Sequence, residues 1–192
     1  YVFLAALSDI DQNFVLKRMK KKWQTTSLNS LKHFVNVTNI CKYVVKRFLD
    51  ALDRNEKEIV FTDVKIVCLR DRDPMEYAIL EPYVDLFSNE IKKWNSNNGF
   101  VSEEGDLLQA LSHFSFEFSK GAFMILDLQG AQLPDGRFLL TDPVLCTEEE
   151  MECFGKSNNF LEGIQLFLDH HFCTSLCNES ISKIEEKRKD WK

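Results

Sequence analysis

Tyr1–Leu7 (YVFLAAL) is an apolar run and Asn13–Met19 (NFVLKRM) is largely apolar, and Ser8–Gln12 between them is rich in turn formers. That pattern predicts a β-hairpin. A basic stretch, Lys17 to Lys22, follows it. Next comes a long helix whose stripe is Val37, Ile40, Cys41, Val44, Phe48 and Leu52, spaced by three and four. Val64–Leu69 and Glu76–Pro82 read as two strands across a turn at residues 70–74, paired antiparallel. Lys93–Gly99 is polar and reads as a loop. The helix after it carries Leu107, Leu108, Leu111, Phe114 and Phe118 on one face.

Ala122–Asp127 is a short apolar run that predicts a buried strand, and Arg137–Thr141 predicts another, joined to it by a Pro-Asp-Gly turn at residues 134–136. A last helix is expected from Phe160 through Phe167, with a His/Cys cluster at its end. The terminal KIEEKRKDWK reads as a solvated helix or frayed tail. Strands, helix, strands, helix, strands, helix make an α+β fold, sheet-rich in its first half and mixed in its second.

Composition narrows the function. Lys and Arg number 24 against 30 Asp and Glu, a net charge of −6. With a pI near 5.3, the chain is not expected to bind nucleic acid. No apolar run approaches the roughly 20 residues of a membrane helix. The chain opens on Tyr1 within an apolar run, without the basic start of a secretory signal, so an excised domain is expected. Six cysteines at irregular spacing in a chain of 192 residues suggest a reducing, cytoplasmic setting.

Three groupings carry candidate chemistry. Leu126-Asp127-Leu128-Gln129-Gly130 and Leu140-Thr141-Asp142-Pro143 place a carboxylate at the end of each of two buried strands. Two carboxylates and an amide oxygen suit a hard divalent cation such as Mg²⁺; the same aspartates also serve as ordinary turn caps. Lys17 lies between apolar residues on a strand. It is either an inward lysine able to reach a phosphate or an edge lysine of a basic run. His171-x-Cys173-x-x-x-Cys177 supplies three N/S donors toward the four that structural zinc takes. The fourth comes from His33, His113, His170, Cys146 or Cys153, with His113 first among them. Phe154–Gly163 is a polar loop opening a helix, suited to a phosphate or a peptide, or simply N-capped by Ser157 or Asn158.

The order VLK, LEPY, KWNSNNGF, SHFSFEFSKG, ILDLQG, LTDP, FGxxN and HxCxxxC resembles the alpha-kinase family, atypical serine/threonine protein kinases. The resemblance runs from the first hairpin to Cys177. It implies a two-lobed fold over the whole chain, with an N-lobe to about residue 80, a hinge at 81–85 and a C-lobe at 86–192. ATP would sit between the lobes. Lys17 would contact its phosphates, and Glu81, Pro82, Tyr83 and Val84 would form the hinge that holds adenine through the backbone. Asp127 would be the catalytic aspartate, with Gln129 and Asp142 on Mg²⁺. His113, His171, Cys173 and Cys177 would hold a structural Zn²⁺. Gly155, Asn158 and Gly163 would belong to a loop serving phosphate or substrate.

The implied activity is transfer of the ATP γ-phosphoryl group to a protein Ser or Thr. A zinc-stabilised pseudokinase or interaction module is the competing reading. Two departures stand out. The family's glycine-rich phosphate-covering loop lies upstream of the strand that opens this sequence. Within the family's FGxxNLGxxG, Asn159 and Phe160 replace Leu and Gly, while Gly163 is kept.

Overall fold

The structure is a computed structural model that describes residues 2–6, 13–18, 28–70, 75–83, 91–148 and 158–189. Val84, Cys153, Gly155 and Ser157, named above, lie outside the described residues.

Strands β1 (Val2–Ala6) and β2 (Asn13–Lys17) form the expected antiparallel hairpin, with Val2 opposite Lys17. Helix α1 (Leu28–Ala51), β3 (Ile59–Phe61), β4 (Lys65–Leu69) and β5 (Glu76–Pro82) follow. Strand β5 lies between β2 and β4, antiparallel to both, in a sheet ordered β1-β2-β5-β4. Helix α1 buries Val37, Cys41, Val44 and Phe48 of the predicted stripe, leaves Ile40 half-buried, and adds Val45 and Leu49 to the core. It ends in a left-handed Asp53 (φ 50°), and the Arg54 N–H reaches back to the Leu49 carbonyl at 3.0 Å. That six-to-one bond satisfies an orphan carbonyl and lets Leu52 turn inward just past the helix.

The second half holds β6 (Ile91–Lys93), α2 (Asp106–Phe118), β7 (Phe123–Leu126), β8 (Gln129–Gln132), β9 (Phe138–Thr141), β10 (Val144–Thr147), α3 (Phe160–His170) and α4 (Ser175–Lys189). A second sheet is ordered β3-β9-β8-β6, parallel at β3–β9 and antiparallel elsewhere, and β7 pairs with β10 as a separate ribbon.

The expected joining of residues 122–127 to 137–141 by the Pro-Asp-Gly turn is therefore corrected. That turn joins β8 to β9, while β7 pairs with β10. The cause is local. Asp127 adopts φ 58° and breaks the chain's direction after Leu126. Gly130 then lets β8 lie hard against β9, since a Cβ there would meet the Leu139 carbonyl oxygen at 2.0 Å.

The β7–β10 ribbon is buried on both faces. Ile125 and Leu145 face the main core with Phe48, Leu108, Leu111 and Phe114. Met124, Leu126, Val144 and Cys146 face a second core with Ile164 and Phe167 of α3. Alternation at period two sends successive side chains into two different cores. The strand ending at Asp127 is thus clamped from both sides. The predicted helix at residues 160–167 extends to His170. A link at residues 171–174 separates it from α4, so Cys173 stands in the link and Cys177 on α4.

Candidate active site and metal centre

Lys17, at the end of β2, turns inward. Its Nζ lies 2.7 Å from Asp142 Oδ2 and 3.0 Å from Glu81 Oε1. Burial works against the Lys17 charge, but the Asp142 and Glu81 carboxylates outweigh it and hold its pKa above the ordinary lysine value. The Glu81 carboxylate is buried and accepts hydrogen bonds from Thr141 Oγ1 at 2.8 Å and Thr62 Oγ1 at 3.4 Å. Three segments far apart in sequence therefore meet at one ammonium. Register explains it: Lys17 stands opposite Ile79 and Glu81 opposite Val15 in the same sheet, while Thr141 and Asp142 end β9.

Asp142 and Asp127 both adopt left-handed backbone, at φ 51° and 58°. Such a conformation costs a non-glycine residue roughly 1–2 kcal/mol, and strain of this kind gathers at functional sites. Asp127 Oδ1 is 2.9 Å from Lys93 Nζ and accepts the Asn97 N–H at 3.4 Å. The Asp142 side chain is 41% exposed and thus open to a ligand. Gln129, on β8, stands opposite Thr141, which precedes Asp142, and opposite Lys93, the ion-pair partner of Asp127. The sequence reading missed Lys93, Asn97, Thr62 and the Glu81 side chain. Pro82 and Tyr83 line a groove of about 530 Å³ with Phe61 and Thr62.

The FGxxN loop shows a different division of labour. Asn158 is buried; its Oδ1 accepts the N–H of Thr147 and of Phe160, and its Nδ2 donates to Thr147 Oγ1 at 2.6 Å. Its side chain is spent joining β10 to α3. Phe160 keeps φ 49°, a conformation glycine adopts freely, at the position where the family pattern has glycine. Gly163 is a contact point, because a Cβ there would lie 2.8 Å from Cys146 Sγ and 3.1 Å from the Asn97 carbonyl oxygen. Gly163→Ala is expected to destabilise the fold by about 1–3 kcal/mol through overpacking. Adding Cys146→Ala should recover part of that loss in a urea-unfolding double-mutant cycle; strictly additive effects would refute the contact.

The His113, His171, Cys173 and Cys177 donors all lie within 4.8 Å of one another. His113 Nδ1 is 3.3 Å from His171 Nε2 and 3.4 Å from Cys173 Sγ, and Cys177 Sγ is 3.4 Å from His171 Nε2. A zinc tetrahedron with ordinary bond lengths needs about 3.3 Å between nitrogens and about 3.6 Å from nitrogen to sulfur. The donor set and its spacing therefore fit a metal ion. Burial pushes both imidazole pKa values down, with the His113 ring adding to the effect at His171, and so favours the neutral, ligating form. Burial raises the Cys173 thiol, and Cys177 raises it further. Among the other candidate ligands, His170 donates to the Leu166 carbonyl, Cys146 is in the second core and His33 is on α1.

Sheet, ribbon, two strand-end aspartates and a four-donor His/Cys cluster together define a kinase-type α+β domain with a cluster able to hold a metal ion. The alpha-kinase family model matches residues 1–177, and the chain belongs to that family. It is 29% identical over 192 residues to eukaryotic elongation factor 2 kinase of Rattus norvegicus, covering 86% of this chain and 25% of that protein. It is similar to the alpha-kinase domain of myosin heavy chain kinase A solved with AMP, at TM-score 0.76 and 30% identity, over 88% of this chain and 66% of that one. An inactive aspartate-to-alanine form of that domain, solved with ATP, gives TM-score 0.74 at 29% identity over 88% of this chain and 64% of that one. The chain spans about a quarter of the length of the elongation factor 2 kinase it matches.

Proposed function

We propose that the protein is an ATP-dependent serine/threonine protein kinase of the alpha type. The observation that carries this reading is the convergence of Lys17, Glu81 and Asp142, with Asp127 presented on the neighbouring strand end. Family membership and the nucleotide-bound relatives support it.

Bound magnesium–ATP would supply the phosphoryl group with its charge partly neutralised. Lys17 would hold the phosphates as a point charge. Asp142 and Gln129 offer oxygens that suit Mg²⁺. Asp127 would orient the acceptor hydroxyl and take its proton, and Lys93 pairs with that carboxylate. Backbone groups of residues 81–84 would receive adenine, which places the lobe division at 81–85. His113, His171, Cys173 and Cys177 form a closed four-donor set, so the metal we assign there is a structural zinc. No described helix is long and apolar enough to cross a membrane, and a protein Ser or Thr in the cytoplasm is the acceptor we infer.

Lys17→Met tests the phosphate contact. A charge-assisted hydrogen bond contributes about 1.5–3 kcal/mol, so affinity for an ATP analogue should fall about 10- to 100-fold. Glu81 is buried, so the same change should also lower stability. Adding Glu81→Gln should restore stability but not affinity. Unchanged affinity in a folded Lys17→Met protein would make Lys17 a structural ion-pair partner only.

A further inference from the structure

Asn95 is wholly buried and uses its entire amide. Its Nδ2 donates to Gln109 Oε1 at 2.9 Å and to Ser112 Oγ at 3.0 Å, both on α2. Its Oδ1 accepts the Leu128 N–H at 3.1 Å. The Leu128 carbonyl in turn accepts the Trp94 N–H at 2.8 Å, and the Trp94 carbonyl accepts Gln109 Nε2 at 2.7 Å. The residue after Asp127 is therefore gripped on both sides of its backbone, and every link of the grip ends on α2. The same helix holds the strand before Asp127, because Ser115 Oγ accepts the Ile125 N–H at 2.9 Å.

We propose that Asn95 is a positioning residue for Asp127, fixing the left-handed turn that aims its carboxylate. A buried main-chain turn of this kind has competing extended conformations of lower local energy. A buried, fully used amide excludes them, because releasing the Leu128 N–H would leave it without a partner. The segment from residue 94 to 97 then holds the residue after the aspartate, through the Asn95–Leu128 bond, and the carboxylate itself, through the Asn97 N–H. Ser112 precedes His113, so the helix that supports this turn also carries one of the metal-site donors. The cluster and Asp127 share one rigid support.

The inference rests on the kinase reading, and the experiment separates the two. In the full protein, Asn95→Leu removes the three side-chain bonds to Gln109, Ser112 and the Leu128 N–H. Asn95→Asp keeps an oxygen to accept the Leu128 N–H but sets a carboxyl against Gln109 Oε1. Ser112→Ala removes one link. Asn95→Leu should lower kcat about 30- to 100-fold, the scale of a misplaced catalytic group, and leave KM for ATP within about twofold. Its Leu128 amide should lose protection in hydrogen exchange. Asn95→Asp should melt as low as Asn95→Leu yet hold kcat within about fivefold of the parent. If Asn95→Leu does not fold, Asn95→Asp and Ser112→Ala carry the comparison. A kcat that simply follows Tm across the variants, or full kcat in Asn95→Leu, overturns the proposal. Asp127→Ala is measured alongside. Absence of phosphoryl transfer by the parent protein defeats the kinase reading, an active Asp127→Ala removes Asp127 from its catalytic role, and an inactive Asp127→Ala beside a fully active Asn95→Leu defeats this inference alone.

Discussion

Asp127→Ala is expected to lower kcat by about 10²–10⁴, the usual contribution of a positioned general base, while nucleotide still binds. The geometry gives the reason for the split. Asp127 contacts Lys93 and the Asn97 N–H, whereas Lys17 and Asp142, the groups assigned to phosphate and Mg²⁺, form a separate junction at the end of β9. Removing Asp127 leaves that junction untouched. Relief of its left-handed backbone is not expected to be large, because alanine at φ 58° suffers the same clash. Stability should therefore stay close to the parent. Asp142→Ala should differ. It removes a Lys17 partner, so nucleotide affinity and its dependence on Mg²⁺ should both change. Isothermal titration with a non-hydrolysable ATP analogue, beside steady-state kinetics, checks both variants. An Asp127→Ala protein that keeps more than about a tenth of parental kcat, roughly 1.4 kcal/mol of barrier, would remove Asp127 from the role assigned here.

Loss of the metal is expected to have the largest structural effect. The four donors come from α2, the link at residues 171–174 and α4. A metal held there would tie α4 to the helix that supports Asp127. Structural zinc contributes on the order of 10 kcal/mol in small zinc peptides, comparable to a whole domain's stability of about 5–15 kcal/mol. His113→Ala and Cys177→Ala should each unfold the C-terminal half and leave insoluble protein. Cys68→Ala, at an exposed thiol on β4, should change nothing measurable. Elemental analysis should find about one zinc per chain, and a chelator should lower Tm sharply. A metal-free protein that is soluble and melts cooperatively would refute the structural zinc.

Much of the architecture was legible in the sequence because its elements are amphipathic. The α1 stripe, the α2 face and the first hairpin all follow from spacing. The strands that escaped notice have little pattern to show. QGAQ at β8 holds a glycine and two glutamines, and β6 is three residues with two lysines. Their strand character comes from neighbours: β8 is stitched to β9 on one side and β6 on the other. The mistaken joining of residues 122–127 to 137–141 has the same origin, since a turn signal identifies a hairpin but not which short strand enters it.

The site divides in the same way. Asp127, Asp142, Lys17 and the His/Cys residues stood out by residue type and motif. Lys93, Thr62 and the Glu81 side chain did not, because their importance lies in contacts across 19 to 64 residues of sequence. His113 sits in an apolar helix face and was singled out only for want of a fourth donor. Asn158 and Gly163 were marked by motif, yet the structure employs one as a buried staple and the other as a close-contact glycine.

The central claim is turnover, and one measurement addresses it: incorporation of labelled γ-phosphate into a Ser/Thr peptide by the zinc-loaded, folded protein with magnesium–ATP. The account predicts stable phosphoserine or phosphothreonine formed in proportion to enzyme, lost in Asp127→Ala and in the absence of Mg²⁺. ATP bound by the folded protein with no phosphate transferred to any Ser/Thr peptide or protein would contradict it and make the domain a zinc-stabilised pseudokinase.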